Sequence, residues 1–180
     1  LQWIEGRALS FSQVISYWPF IEILRRVVGI NEQDGEEVRW TKLESRVLAV
    51  ASADDDIFPY LAAILGLRGI GQRWERIQYL EPEAMGRQVY RSVRVFFERL
   101  ARQRPLVLVF EDLHWIDAET QAFLDGLIDS LPRARALLAV NYRPEYRHDW
   151  GSRTFYRQLR VDPLAPESAE VLLDALLGAD

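Results

Sequence analysis

Two adjacent acids, Glu111 and Asp112, follow an unbroken run of five apolar residues within the stretch RPLVLVFEDLHWID. A continuous apolar run is typical of a strand that is covered on both faces, as in a parallel sheet. In α/β proteins the ligand crevice lies at the carboxyl ends of such strands. Carboxylate oxygens suit Mg²⁺, and phosphoryl transfer depends mainly on charge neutralisation. The two acids therefore indicate either a metal and nucleotide site or a polar end to a buried strand.

A second apolar strand is predicted in ARALLAVNYRP, and Arg143 follows it. Arginine is a strong phosphate ligand because its guanidinium is a planar fork of donors. From the residues alone, however, a surface ion pair between Arg143 and Glu145 is the favoured interpretation.

The elements around these residues alternate in the second half of the chain. Asp117 is predicted to cap a helix, with Thr120 three residues further on. A third short strand is predicted near residues 159–161, and a last helix begins in APESAEVLLDALLGAD. This order predicts parallel strands that are joined by right-handed crossovers.

The first half supplies one predicted strand at residues 3–11 and then a long helical insertion. Pro19 and Pro82 lie near predicted helix starts, Gly29 ends the first of these helices, and the acids of residues 54–56 are expected to begin a short helix. A loop with a turn of helix is expected around residues 74–79. Buried faces are predicted at Val38, Leu43, Val47 and Leu48 and at Val89, Val93, Phe96, Phe97 and Leu100.

Composition excludes several classes of protein. No apolar run approaches the length of a membrane span, and the net charge of −5 argues against a nucleic-acid binder. The chain has no cysteine, which excludes thiolate metal sites and favours a cytoplasmic protein. His114 and His148 lack zinc-site spacing. The first residues lack both a signal peptide and a Met, so the chain is expected to be a piece of a larger polypeptide.

Four stretches carry a resemblance to a known family. The chain resembles part of the nucleotide-binding domain of the signal-transduction (STAND) branch of the AAA+-like P-loop ATPases. The closest likeness is to the ATPase modules of large bacterial adenylate-cyclase-linked proteins and large helix-turn-helix transcription regulators. WIEGRALSFSQVISYWPFIEILRRVVGI resembles the segment after the P-loop helix, LVLVFEDLHWID the Walker B strand, LLAVNYRPEY the sensor 1 strand, and LRVDPLAPESAEVLLDALLG the passage to the helical lid.

This resemblance implies an α/β fold, an incomplete P-loop NTPase-like three-layer parallel sheet with a large helical insertion at about residues 18–103. Residues 1–165 would form the partial core and residues 166–180 the start of a helical lid. Glu111 and Asp112 would hold Mg²⁺, usually through water, and polarise the attacking water, which makes them the catalytic and metal-binding candidates. Asn141 and Arg143 would contact the γ-phosphate of ATP, and Pro163 would contact the nucleotide at the hinge to the lid.

The phosphate-binding loop of the family is absent from the chain. That loop needs the pattern G-x-x-x-x-G-K-[ST], because glycine amides and one lysine surround the phosphates. The only lysine, Lys42, follows Thr41 and has no glycine before it in a helical context. In the family this loop lies upstream, on a strand in the middle of the sheet. The gap is expected to lead to a rearranged sheet or to association with another chain.

The resemblance implies part of an ATP-binding and hydrolysing regulatory switch domain of a signalling protein. Its partners would be ATP with Mg²⁺, the remainder of the parent polypeptide and, by self-association, a second copy. Binding of nucleotide by this piece alone is expected to be weak or absent. No contact with membrane or nucleic acid is predicted.

Two other functions remain open on the residues. One is a metal-dependent phosphohydrolase that uses Glu111, Asp112 and Asp117. The other is a non-enzymatic protein-interaction module, in which the acids only end strands. Its contacts would come from the aromatic residues of the insertion, Trp18, Phe20, Trp40, Phe58, Tyr60 and Trp74.

Overall fold

A computed structural model describes residues 1–10, 16–52, 55–68 and 72–178 of the chain. Within them, the structure has three strands and seven α-helices. The strands are β1 (Gln2–Arg7), β2 (Leu106–Glu111) and β3 (Ala136–Val140). The helices are α1 (Trp18–Val28), α2 (Glu36–Val50), α3 (Phe58–Ile64), α4 (Gln72–Gln78), α5 (Pro82–Gln103), α6 (Ala118–Ser130) and α7 (Pro166–Leu177).

The three strands form one parallel sheet in the order β1-β2-β3, which confirms the predicted α/β class and the parallel pairing. The strands follow one another across the sheet in chain order. When parallel strands do so, right-handed crossovers place all the connecting helices on one face of the sheet. Ile23 of α1 lies against Gly6 of β1 on this face. Phe97 of α5 and Leu127 of α6 adjoin Leu108 of β2 on the same face.

The core lies between this face and the helices. Phe20 is fully buried and its ring lies 4.9 Å from that of Phe110 and 4.3 Å from that of Phe123. Tyr90 of α5 adds an edge-on contact with Phe123 at 5.0 Å. Contacts of this kind stabilise beyond the area that they bury, so the aromatic residues join α1, α5 and α6 to the central strand.

The opposite face of the sheet is open to solvent at both outer strands. Trp3, Val107 and Leu137 are register partners across the three strands. Val107 is buried, whereas Trp3 and Leu137 are 60% and 61% exposed. The apolar run of β3 is therefore not covered on both faces, and β3 is also an edge strand whose outer side has no neighbour among the described strands.

Most predicted helices are confirmed. α1 has Pro19 in its first turn and ends at Gly29, whose φ of 78° is easily adopted by glycine. The predicted stripe of α5 is buried throughout. α4 is longer than the single turn that was predicted. In α2, Leu43 and Val47 are buried as expected.

Four details of the sequence prediction are wrong or untested. Val38 and Leu48 of α2 are 45% and 73% exposed, because the buried side of that helix runs through Val50 instead. No strand forms at residues 159–161, whose apolar side chains are exposed and find no neighbouring strand. Helix α3 has no acid in its first turn, and Asp55 pairs with Arg99 of α5 instead. Parts of two predictions, Phe11 and Asp54, lie outside the described residues.

The chain divides into two compact units, residues 1–147 and 148–180. The second contains α7, whose apolar residues are exposed along most of the helix, and a turn in which the His148 ring stacks on Trp150 at 4.3 Å. The predicted boundary at residue 165 stays a prediction. Among the described helices, none combines the length and apolar content needed to cross a membrane.

Candidate functional site

Glu111 and Asp112 lie at the carboxyl end of the central strand. Glu111 is the last residue of β2 and is the register partner of Arg7, the last residue of β1. Both acids are half-buried. The Glu111 carboxylate has no hydrogen bond or ion pair with any described residue, which leaves its oxygens available to a ligand.

The backbone of Asp112 adopts a left-handed conformation, with φ 59° and ψ 40°. This conformation turns the chain out of the strand and into a short 3-10 helix at Leu113–Trp115. The amide N–H of Asp112 donates to the side-chain oxygen of Asn141 at 2.7 Å. Asn141 is thereby brought from the end of β3 to the end of β2, where the acids lie.

Arg7 is the nearest cation to these acids and was not expected from the sequence. Its Nε donates to the Asp112 carboxylate at 2.7 Å. Its backbone amide donates to the carboxylate of Glu22 in α1, also at 2.7 Å. The hydrogen bond from Arg7 to Asp112, together with the charge of that carboxylate, raises the pKa of the Arg7 guanidinium above its usual value. Because the Arg7 side chain is 57% exposed, this pair contributes little to stability.

Arg143 lies in the exposed segment after β3. Its guanidinium carbon lies 5.9 Å from the ring centroid of Trp115, three residues after Asp112, which is within the range of a cation–π contact. The ion pair with Glu145, favoured from the residues alone, does not form among the described residues. The charge of Arg143 is therefore not neutralised by a carboxylate there, and the side chain lies over Trp115, in the 3-10 helix that follows the acids.

Of the other residues considered from the sequence, Asp117 and Lys42 make structural contacts. Asp117 caps α6 as predicted, since its carboxylate accepts the amide N–H of Thr120 at 2.9 Å. The His114 ring packs against Trp115, and neither of its nitrogens has a hydrogen-bond partner among the described residues. Lys42 donates to the carbonyl of Gly29 and to Asp34, at the end of α1 and far along the chain from the acids.

Pro163 lies in an exposed stretch of the second unit. Its predicted contact with nucleotide at a hinge stays a prediction. Within the first unit, the structure places Glu111, Asp112, Asn141 and Arg143 at the carboxyl edge of β2 and β3.

The carboxylates at this edge fit Mg²⁺ as part of its ligand set and not as a complete enclosure. Mg²⁺ is usually held by one or two carboxylates, with water and substrate phosphates as the remaining ligands. Glu111 and Asp112 supply two such carboxylates, and the described residues contain no cluster of three or more acids and histidines that could enclose a metal by themselves. A phosphohydrolase site built from Glu111, Asp112 and Asp117 is thus not assembled, since Asp117 is engaged in capping α6.

The aromatic residues proposed for a partner surface pack within the chain. Phe20 is fully buried, and Trp40 packs against Phe58 with ring centroids 5.2 Å apart. Trp18, Tyr60 and Trp74 are also half-buried. These side chains therefore do not form the exposed patch that the interaction hypothesis requires.

Sequence reasoning missed Arg7 and Trp115 as members of the site. Trp115 directly follows the acids in the chain, but its ring contact with Arg143 depends on how two loops fold. Arg7 lies within the strand predicted at residues 3–11, and parallel pairing of that strand with β2 places it beside Glu111. The register of a pairing between strands a hundred residues apart was the missing information.

Comparisons with known proteins found a family model and a curated relative that match the chain. Residues 1–140 match the family model described as AAA ATPase domain. An uncharacterized protein of Rhizobium meliloti (strain 1021) is 26% identical over 121 residues, which cover 67% of this chain and 11% of that protein. The chain thus spans about a ninth of the length of this curated relative. No solved structure matches the chain.

Proposed function

Because the chain belongs to the AAA ATPase domain family, we propose that it is the part of an ATP-dependent regulatory switch that holds the metal-binding acids and the γ-phosphate sensor. The observation that supports this most directly is the hydrogen bond from Asp112, at the end of β2, to Asn141, which follows the adjacent parallel strand β3. Arg143 lies two residues further on, over Trp115. Ligands of α/β sheets bind at this edge.

Glu111 and Asp112 would hold Mg²⁺ on the triphosphate and orient a water molecule toward the γ-phosphate. Bound Mg²⁺ would neutralise charge that develops on the phosphate oxygens. Arg143 would donate to the γ-phosphate, since its guanidinium is exposed and no carboxylate pairs with it among the described residues. Asn141 would donate its side-chain amide N–H to the same phosphate. Pro163 would contact the nucleotide only when the lid closes.

The missing phosphate-binding loop would come from elsewhere in a longer polypeptide. The outer side of β3 has no neighbour among the described strands, and the face that carries Trp3 and Leu137 is open at both outer strands. An added parallel strand beside β3, with its crossover helix on the open face, would complete a three-layer sheet. Without it, we expect this chain to bind nucleotide weakly or not at all.

The proposed biological role rests on the resemblance of the sequence to the STAND ATPases. We propose a STAND-type switch in a signalling protein, with ATP controlling how the lid and the core are arranged. The large size of the curated relative is consistent with further domains. Output through an adenylate cyclase or a transcription regulator, and a cytoplasmic location, belong to the same proposal.

A protein-interaction module is the second candidate. It is favoured by the exposure of Trp3 and Leu137 on the open face of the sheet, which a partner would bury. In this case Glu111 and Asp112 only end a strand.

A binding titration distinguishes the two candidates. The longer polypeptide, with its upstream segment, is titrated with a fluorescent ATP analogue in the presence of Mg²⁺. We expect binding that is lost when Asp112→Asn and Glu111→Gln are combined, because the metal then has no charged ligand. Glu119→Gln, an exposed acid of α6 on the same segment, is the matched control and should bind normally.

Absence of binding in the longer wild-type polypeptide would favour the interaction module. Binding that survives the double substitution would remove the acids from the site.

A further inference from the structure

We propose that Asn141 is a positioning residue for Asp112, and that its side chain holds the Asp112 backbone in the left-handed conformation that directs the carboxylate toward Arg7. The inference rests on the proposed function only in giving Asp112 the role of a Mg²⁺ ligand. The geometry itself can be tested without nucleotide or metal.

Asn141 makes three hydrogen bonds to the end of β2. Its backbone N–H donates to the carbonyl of Phe110 at 3.1 Å, which continues the pairing of β2 with β3. Its backbone carbonyl accepts the N–H of Leu113 at 3.0 Å. Its side-chain oxygen accepts the N–H of Asp112 at 2.7 Å. One residue therefore binds the chain on both sides of the two acids.

Only the bond to Asp112 depends on the Asn141 side chain. The other two are backbone bonds that any residue except proline could make at this position. Among the side chains that present an oxygen at this distance from the backbone, asparagine does so without adding negative charge beside Glu111 and Asp112. The residue type at position 141 thus matters mainly for Asp112.

The bond is needed because the conformation of Asp112 is unfavourable. A side chain in the left-handed region is strained, although aspartate tolerates it better than most residues. The other described non-glycine residues with positive φ, Tyr17 and Asp56, lie outside this site. At Asp112, the left-handed turn places the carboxylate 2.7 Å from Arg7 Nε rather than along the direction of the strand.

This arrangement limits what Asn141 can do for a nucleotide. Its side-chain oxygen is occupied by the protein backbone. A contact with phosphate could use only the side-chain amide N–H, which the bond to Asp112 would orient. Loss of the side chain should therefore disturb Asp112 and Arg7 even when no nucleotide is present.

Nuclear magnetic resonance of the 180-residue chain tests the proposal through two exchange rates. These are the rate of the Asp112 backbone amide and the rate of the Arg7 Nε–H. In Asn141→Ala we expect both hydrogens to exchange at least about fivefold faster, the equivalent of one typical net hydrogen bond. The change at Arg7 is diagnostic, because Asn141 does not touch it and a general structural role would not alter that one side chain selectively.

Two further variants separate the contacts. Asn141→Asp keeps an oxygen acceptor and should restore protection of the Asp112 amide. Asp112→Asn removes the charge that holds Arg7 and should accelerate only the Arg7 Nε–H, leaving the amide protected. Asn31→Ala serves as the matched control and should change neither rate, because the Asn31 side chain has no hydrogen bond with any described residue.

Unchanged exchange at both positions in Asn141→Ala would overturn the proposal. If that variant does not fold, Asp112→Gly provides the second measurement, because glycine adopts the left-handed region without strain. Asn141→Ala should then be tolerated in the Asp112→Gly background, and failure to fold there would also overturn it. Failure of ATP binding in the longer polypeptide would affect the proposed function and leave these rates untouched.

Discussion

Arg7 Nε and the Asp112 carboxylate lie 2.7 Å apart, although the two residues are separated by 105 positions in the chain. Parallel pairing of β1 with β2 aligns Arg7 with Glu111, and the left-handed turn at Asp112 then directs its carboxylate back toward Arg7. The guanidinium thus stands beside one of the two acids proposed to hold Mg²⁺. A cation that binds there must compete with Arg7 for Asp112.

Replacing Arg7 by glutamine should increase the affinity of the two acids for divalent cations. The competing charge is lost, and because the pair is exposed we expect a gain of about two- to fivefold. Paramagnetic broadening of nearby amide signals by Mn²⁺ measures this affinity even when it is weak. Arg26→Gln, which removes an arginine that pairs with Glu22 in α1, is the control and should leave Mn²⁺ binding unchanged. Equal affinities of Arg7→Gln and wild type would show that Arg7 does not compete.

Two glycine substitutions should change stability in opposite directions. A Cβ at Gly6 would lie 2.5 Å from the carbonyl oxygen of Pro19 and 2.7 Å from a side-chain carbon of Ile23. Gly6→Ala should therefore separate β1 from α1 and lower the free energy of unfolding by about 1–3 kcal/mol. Gly86 lies within α5 with no atom close to its added Cβ, so Gly86→Ala should raise that free energy by up to about 1 kcal/mol. Urea denaturation measures both, and a stable Gly6→Ala variant would contradict the packing of α1 on β1.

The pair of Asp55 and Arg99 should stabilise the chain only above acidic pH. Two hydrogen bonds from the Arg99 guanidinium, and one from the Ser52 amide, lower the pKa of Asp55 to about 2 from its usual 3.8. A carboxyl whose pKa is lowered by folding stabilises above its unfolded pKa, and this contribution disappears as the pH falls toward the folded value. After allowance for partial exposure, Asp55→Asn should cost about 1 kcal/mol at pH 7.

Urea denaturation of wild type and Asp55→Asn at several pH values tests this. The difference between them should be constant from pH 7 down to about pH 4, and should shrink between about pH 4 and pH 2. A difference that does not change with pH would mean that Asp55 acts through its shape and not through its charge.

Asp117, the cap of α6, should be the acid outside the site whose replacement lowers stability most. Asp117 accepts the N–H of Thr120, and the buried hydroxyl of Thr120 accepts the N–H of Tyr17 at 2.8 Å. Asp117→Ala should lower the free energy of unfolding by about 1–2 kcal/mol, whereas Asp117→Asn should cost less because it keeps an acceptor. Thermal denaturation measures both variants. Equal losses in the two would assign the effect to charge and not to capping.

Much of the fold was predictable because local patterns and tertiary packing agree. The apolar stripe of α5 and the apolar run of β2 are both buried in the structure, as their patterns predict. Helix α1 ends at Gly29, where the sequence places its end. The prediction of a strand at residues 159–161 failed because a short apolar run becomes a strand only when another strand pairs with it.

By itself, the sequence determined that Glu111 and Asp112 close an apolar strand, that Asn141 and Arg143 follow a second strand, and that the phosphate-binding loop is missing. These are properties of composition and order along the chain. Only the tertiary structure decided that Arg7 meets Asp112, that Asn141 receives the Asp112 amide and that Arg143 lies over Trp115. Each of those contacts depends on strand register and on a single backbone turn, which are fixed by the packing of distant segments and leave no mark on local sequence.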